Sequence, residues 1–227
     1  AMKLCLQYWS QNGRPERRGF VAFDDAFHGE TLGVTALGGV EVFRRPFRDV
    51  LLDCIHVPPP RHPHDPARAR EALEKTLREN AETLAAVVVE PAVQGAAGMQ
   101  IYAPDYLQFV RELCDRHDVF LVCDEVFTGY GRTGPMWACD HAGIAPDVLC
   151  TAKGFSGGML PMAATLATTR LFEGFLGDPE RAFYYGHTFC GNPLGTAVAR
   201  EVLRVFDDEA VLVHARPKAA RIAAAFS

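Results

Sequence analysis

The sequence predicts an α/β fold: a mainly parallel β-sheet flanked by helices. Three observations predict it. Short apolar runs alternate with amphipathic helical segments along the chain. Several of those runs are continuously apolar, as strands buried on both faces of a parallel sheet must be. The helical segments open on proline or on a cap followed by proline, and strand–helix alternation calls for right-handed crossovers.

The elements follow in order. "AMKLCLQYW" opens the chain as a helix already under way, with no capping residue before it. "GFVAF" (19–23) is the first strand. Leu51 to Pro66 is proline-dense and aperiodic, which predicts a surface loop. Asp65 and Pro66 cap and start a helix with Leu73, Leu77 and Leu84 on or near one face. A strand at 85–90 follows. Pro104 then opens a helix with Leu107, Val110 and Cys114 at helical spacing. Strands at 119–125, 147–152 and 162–168 come next. Asn192 and Pro193 start a helix whose predicted apolar stripe is Leu194, Ala197, Val198 and Val202. An alanine-rich helix closes the chain, and both ends read as cuts through a longer protein.

Composition narrows the function. The 227 residues are 48% hydrophobic and 22% charged, enough for one large domain with a sizeable core and too apolar for disorder. The formal net charge of −5 and the lack of any basic run argue against a nucleic-acid partner. Apolar stretches such as "LAAVVVE" are too short to span a bilayer. Seven cysteines without a CxxC pair read as reduced core thiols of a cytoplasmic protein.

Ligands of open α/β sheets bind beyond the carboxyl ends of the strands. Glu90, Asp124 and Lys153 each stand at such an end. Lys153 is followed by Gly154, Gly157 and Gly158, which would let a flat ligand approach the backbone; its amine could then serve as a nucleophile. The alternative is a surface lysine in a glycine-rich turn. Asp124 could pair with a protonated heterocyclic nitrogen, or equally with Arg132 as a structural ion pair. His187, Thr188 and Asn192 precede a helix start and could bind an anion, or could simply cap that helix. The glycine clusters fit neither a dinucleotide fingerprint nor a P-loop, and no GxSxG elbow is present. His62 and His64 could ligate a metal, but their prolines favour an exposed loop and no metal is expected.

Four long motifs in order, "VVEPAVQGAAGM", "CDEVFTGYGRTGPMWACDHAGIAPDVL", "TAKGFSGGMLPMAATLATT" and "YYGHTFCGNPLGTAVA", resemble fold-type I, class III aminotransferases dependent on pyridoxal 5′-phosphate. "MKLCLQYW", "HGETLGVTALGGVEVF" and "CDHAGIAPDVLC" bring the likeness nearest to the biotin-synthesis branch of that class. The resemblance implies S-adenosylmethionine as amino donor and 8-amino-7-oxononanoate as acceptor. It implies that Lys153 carries the cofactor covalently and is the catalytic residue, and that Asp124 salt-bridges the pyridine nitrogen. Val126 would pack on one ring face and Phe27 on the other, with His28 and Glu90 close by. His187 and Thr188 would reach the cofactor phosphate of the neighbouring subunit in a homodimer. Gly186, Phe27 and Lys153 would touch substrate.

Two departures accompany the likeness. The class commonly reads YHGDT where this chain has "FHGET", so Phe27 lacks a phenol and Glu30 is one methylene longer. The phosphate cup and the substrate arginine of the class would lie upstream of residue 1 and beyond residue 227. Residues 1–207 are thus expected to be the cofactor-binding large domain, and 208–227 the start of a helix leading to a small domain. Another class III enzyme with a different donor, or a non-catalytic fragment, are the competing expectations.

Overall fold

The computed structural model describes residues 1–60 and 65–226. Helix α1 (Met2–Gln11) leads into β1 (Gly19–Phe23), then α2 (Leu32–Leu37) and α3 (Glu41–Arg44). Strand β2 (Ile55–Val57) and helix α4 (Pro66–Asn80) precede β3 (Leu84–Val89). A small antiparallel pair, β4 (Val93–Gln94) and β5 (Gln100–Ile101), comes before α5 (Pro104–His117) and β6 (Phe120–Asp124). The chain ends with β7 (Val148–Thr151), β8 (Ala164–Ala167), α6 (Thr169–Glu173), α7 (Pro193–Asp208) and α8 (Val211–Phe226).

The main sheet runs β2-β1-β3-β6-β7-β8, parallel throughout except for β8, which is antiparallel to β7. Successive side chains of a strand point to opposite faces, and here both faces are covered. Val21, Val87 and Leu121 pack with Leu73 and Leu77 of α4 and with Leu107, Val110 and Leu113 of α5. Phe20, Ala86, Phe120 and Val122 pack on the other side with Cys5 and Trp9 of α1. Trp9 Nε1 also donates to the carbonyl of Ala85 at 2.9 Å, fastening α1 to β3. Burial on two faces is why the strands read as unbroken apolar runs.

The caps form as the sequence predicts. Asp65 accepts from the N–H groups of Ala67 and Arg68, and Asn192 Oδ1 from that of Gly195 at 2.7 Å. Elsewhere the structure corrects the sequence reading. The Leu51–Pro66 segment is not loop throughout, because Ile55–Val57 adds an edge strand in register with β1, with Val57 buried. Leu84 belongs to β3 rather than to the face of α4. On α7 the buried positions are Gly195 and Ala199, whereas Leu194 is 71% exposed. Cys190 is exposed rather than part of the core, while Cys5, Cys114, Cys123 and Cys139 are buried; all seven are free thiols. His62 and His64 lie outside the described residues. Among those described, no group of side chains is arranged to hold a metal, and no helix is long and apolar enough to cross a membrane.

Candidate active site

Because β1, β3, β6 and β7 are parallel, their carboxyl ends share one edge of the sheet. The segment after β1 carries Phe27 and His28, Glu90 directly follows β3, Asp124 ends β6, and Lys153 lies two residues beyond β7. His28 and Asp124 meet there. Nδ1 of His28 is 2.8 Å from Oδ2 of Asp124, and the two side chains are 3% and 12% exposed. The other oxygen, Oδ1, accepts from the backbone N–H of Val126 at 3.1 Å. The predicted alternative, a pair between Asp124 and Arg132, does not form. His28 Nε2 is buried with no partner among the described residues. His28, Asp124 and Val126 together line a largely apolar cavity of about 1140 Å³, with Cys150 and Thr165 at its strand wall.

Glu90 is buried and works as a staple. Its Oε1 accepts from the N–H of Phe27 at 2.9 Å and its Oε2 from that of Gly95 at 3.0 Å. Burial raises the Glu90 pKa, the two N–H donors and His28 pull it back, and the Asp124 charge adds to the rise. Phe27 packs edge-on against Phe43, ring centroids 5.3 Å apart. Neither Phe27 nor Glu90 lines the large cavity; Glu90 faces a small crevice with Gln94 and Tyr102.

Lys153 begins a short 3-10 helix, Lys153–Ser156, with its backbone in the left-handed region at φ +47°. Its side chain is exposed, with Nζ 5.6 Å from the ring centroid of Phe127. Phe127 lies against Gly95, where a Cβ would come within 3.2 Å of the ring. Gly186, His187 and Thr188 are exposed and do not line the cavity with Asp124. His187 Nδ1 instead accepts from the N–H of Phe189 at 3.1 Å.

Sequence reasoning missed Glu125. It is fully buried and accepts from Thr128 Oγ1 at 2.5 Å and from the N–H groups of Ala138 and Cys139 at 3.0 and 2.9 Å. It thereby ties the loop after β6 to the start of the 3-10 helix Ala138–Ala142. A second carboxylate directly after Asp124 was the one available signal.

The profile of the class-III aminotransferases matches residues 1–227, the entire chain. The chain belongs to that family. Among curated class-III relatives, the adenosylmethionine-8-amino-7-oxononanoate aminotransferase of Geobacter sulfurreducens is 42% identical over 223 residues, covering 93% of this chain and 49% of that protein. The enzyme of the same name from Nitratidesulfovibrio vulgaris is 43% identical over 236 residues, covering 98% and 44%. The crystal structure of the Methanocaldococcus jannaschii enzyme of that name superposes with a TM-score of 0.89 at 34% identity, covering 96% of this chain and 50% of that one. An amine transaminase from an uncultivated Pseudomonas species, solved with pyridoxal phosphate bound, gives 0.89 at 33% identity, covering 97% and 52%. This class-III chain thus has the fold-type I architecture of pyridoxal-phosphate-dependent transferases. It spans about half the length of the curated relatives it matches.

Proposed function

We propose that the protein is a pyridoxal 5′-phosphate-dependent aminotransferase that moves the amino group of S-adenosylmethionine to 8-amino-7-oxononanoate, giving 7,8-diaminononanoate for biotin synthesis. One observation carries the reading: a carboxylate fixed on a cavity wall by a buried histidine, with a lysine at the end of the neighbouring strand, in a chain of this family. The residues suit the cofactor. Asp124 has two partners and spare acceptor capacity on the cavity wall, and the orphaned Nε2 of His28 awaits a partner beside it. Val126 adds an apolar surface for a flat ring.

In this reading the bound cofactor supplies an electron sink conjugated to the migrating amino group. Asp124 keeps the proton on the ring nitrogen through its negative charge. His28 and the N–H of Val126 hold that carboxylate in one orientation. Lys153 Nζ would hold the cofactor between turnovers; freed by the incoming amine, it would take the proton from the amine-bearing carbon of the donor and deliver that same proton, on the same face, to the cofactor carbon. Val126 lines the cavity and would bound one ring face; Phe27, fixed by Glu90 through its backbone N–H, packs on Phe43 outside this chain's cavity and would have to turn to cover the other. Phe27, Gly186 and Lys153 contact substrate. His187 and Thr188, both exposed, would serve the phosphate of the neighbouring subunit in a homodimer. Residues 1–207 act as the cofactor domain of a cytoplasmic enzyme, and 208–227 lead to a small domain.

A second reading keeps the chemistry and changes the donor. It is favoured by Phe27, whose ring has no hydroxyl to offer a polar donor, and by the amine transaminases among the structural matches. A half-reaction panel separates the two. Rapid conversion of the cofactor to its amine form by S-adenosylmethionine supports the first reading. Conversion by ornithine or γ-aminobutyrate with S-adenosylmethionine inert supports the second.

A further inference from the structure

Lys153 adopts a left-handed backbone that a side chain rarely takes, at φ +47°. Such a residue persists only where its surroundings over-determine it. Tyr130 supplies those surroundings, because it touches the chain on both sides of Lys153. Two residues before it, Thr151 Oγ1 donates to the Tyr130 hydroxyl at 3.1 Å. One residue after it, Gly154 lies against the ring so closely that a Cβ would stand 2.7 Å from Cδ2 and 2.8 Å from Cγ. Two residues after it, the Phe155 ring stacks on Tyr130, with centroids 6.3 Å apart and planes at 22°.

The tyrosine is itself held. Its ring meets Trp137 edge-on at 5.1 Å and Phe206 of α7 at 6.0 Å. The loop that carries it is anchored by the buried Glu125 carboxylate through Thr128, Ala138 and Cys139. The anchored loop therefore presents one ring to residues 151, 154 and 155, on both sides of residue 153.

We propose that Tyr130 is a positioning residue for Lys153: it holds the lysine backbone left-handed and so sets the direction in which Nζ leaves the sheet edge. The inference rests on Lys153 being the cofactor-bearing lysine. Tyr130 does not line the cavity that holds Asp124 and would act through the backbone of Lys153.

The test uses the cofactor-loaded protein and the variants Tyr130→Leu, Tyr130→Phe, Thr151→Val and the Phe/Val double variant. Three quantities are read: visible circular dichroism per bound cofactor, the rate of cofactor loss on dilution, and Tm. Tyr130→Leu should change the dichroism per bound cofactor and speed cofactor loss about tenfold or more, the scale of a released left-handed residue. Its kcat should fall while the KM for the donor holds. Tyr130→Phe keeps the ring and should restore the dichroism, with cofactor loss faster by about two- to tenfold for the missing hydrogen bond. Thr151→Val should match it, and the double variant should add nothing further. A lowered Tm in Tyr130→Leu with unchanged dichroism and cofactor loss would overturn the proposal. If Tyr130→Leu does not fold, the gentler pair decides, and wild-type cofactor loss in both would overturn it. Borohydride reduction of the wild type separates the two readings: a label on any lysine other than Lys153 removes the function assignment, and this inference with it.

Discussion

His28 and Asp124 are 96 positions apart in the chain, yet Nδ1 of one lies 2.8 Å from Oδ2 of the other. An imidazole nitrogen facing a carboxylate must carry the proton, so the contact fixes the tautomer of His28 as well as the orientation of Asp124. With Oδ1 taken by the N–H of Val126, the aspartate cannot turn away from the cavity.

Removing the imidazole should therefore loosen cofactor binding more than it unfolds the protein. His28→Ala removes a hydrogen bond that the Asp124 carboxylate accepts, a charge-assisted contact of about 1.5–3 kcal/mol. The cofactor Kd should rise by about tenfold or more, read by fluorescence titration. An unchanged Kd would mean that Asp124 needs no partner.

Asp124→Asn keeps the shape and removes the charge. Turnover of the cofactor-loaded variant should drop by about a hundred- to a thousandfold, the loss seen when a preorganised electrostatic group is removed. Single-turnover kinetics with S-adenosylmethionine measures it. Near-normal rates would place the electrostatic role elsewhere.

Lys153→Ala should lose the visible absorbance of lysine-bound cofactor and essentially all transamination. Peptide mapping after borohydride reduction should find the pyridoxyl group on Lys153 in the wild type and nowhere in the variant.

Glu90 gives a pH signature. Its pKa is raised in the fold, burial being the main cause, so the folded state binds the proton more readily than the unfolded chain does. Stability from this group is present at low pH and is lost as pH rises from the unfolded value of 4.5 through the raised folded value. Glu90→Gln removes that dependence. It also turns an amide N–H₂ toward Phe27 N or Gly95 N, costing about 1–3 kcal/mol for one unsatisfied donor. In Tm measured against pH, the advantage of wild type over variant should shrink as pH rises. Parallel curves would exclude Glu90 as the titrating group.

Much of this architecture is legible in the sequence because its strands are buried on both sides. Phe20 and Val21, or Phe120 and Leu121, face opposite layers and are equally apolar, so the run is visible without any periodicity. The strand ends are visible for the complementary reason: Asp124 and Lys153 stand where apolar residues give way to polar residues and glycine. Strand β2 escapes notice because three residues running into Pro58 carry no pattern; only pairing with β1 makes them a strand. On α7 the predicted stripe is right in part. Val198 and Val202 are half-buried, Leu194 and Ala197 are exposed, and the fully buried positions are Gly195 and Ala199, small residues that permit close approach. The grip of Tyr130 on residues 151, 154 and 155 is a three-dimensional fact with no spacing rule behind it.

The strand order has a consequence for the time course of folding. β3 pairs with β1 across some sixty residues and with β6 across some thirty, and β1 lies two strands from β6 in the sheet. The contact between His28 and Asp124 cannot exist until both pairings are made. Loop closure of that length must precede any reward from non-local contacts, which makes such sheets slow to assemble. A refolding chain should accordingly regain helical signal first and its capacity to capture cofactor last.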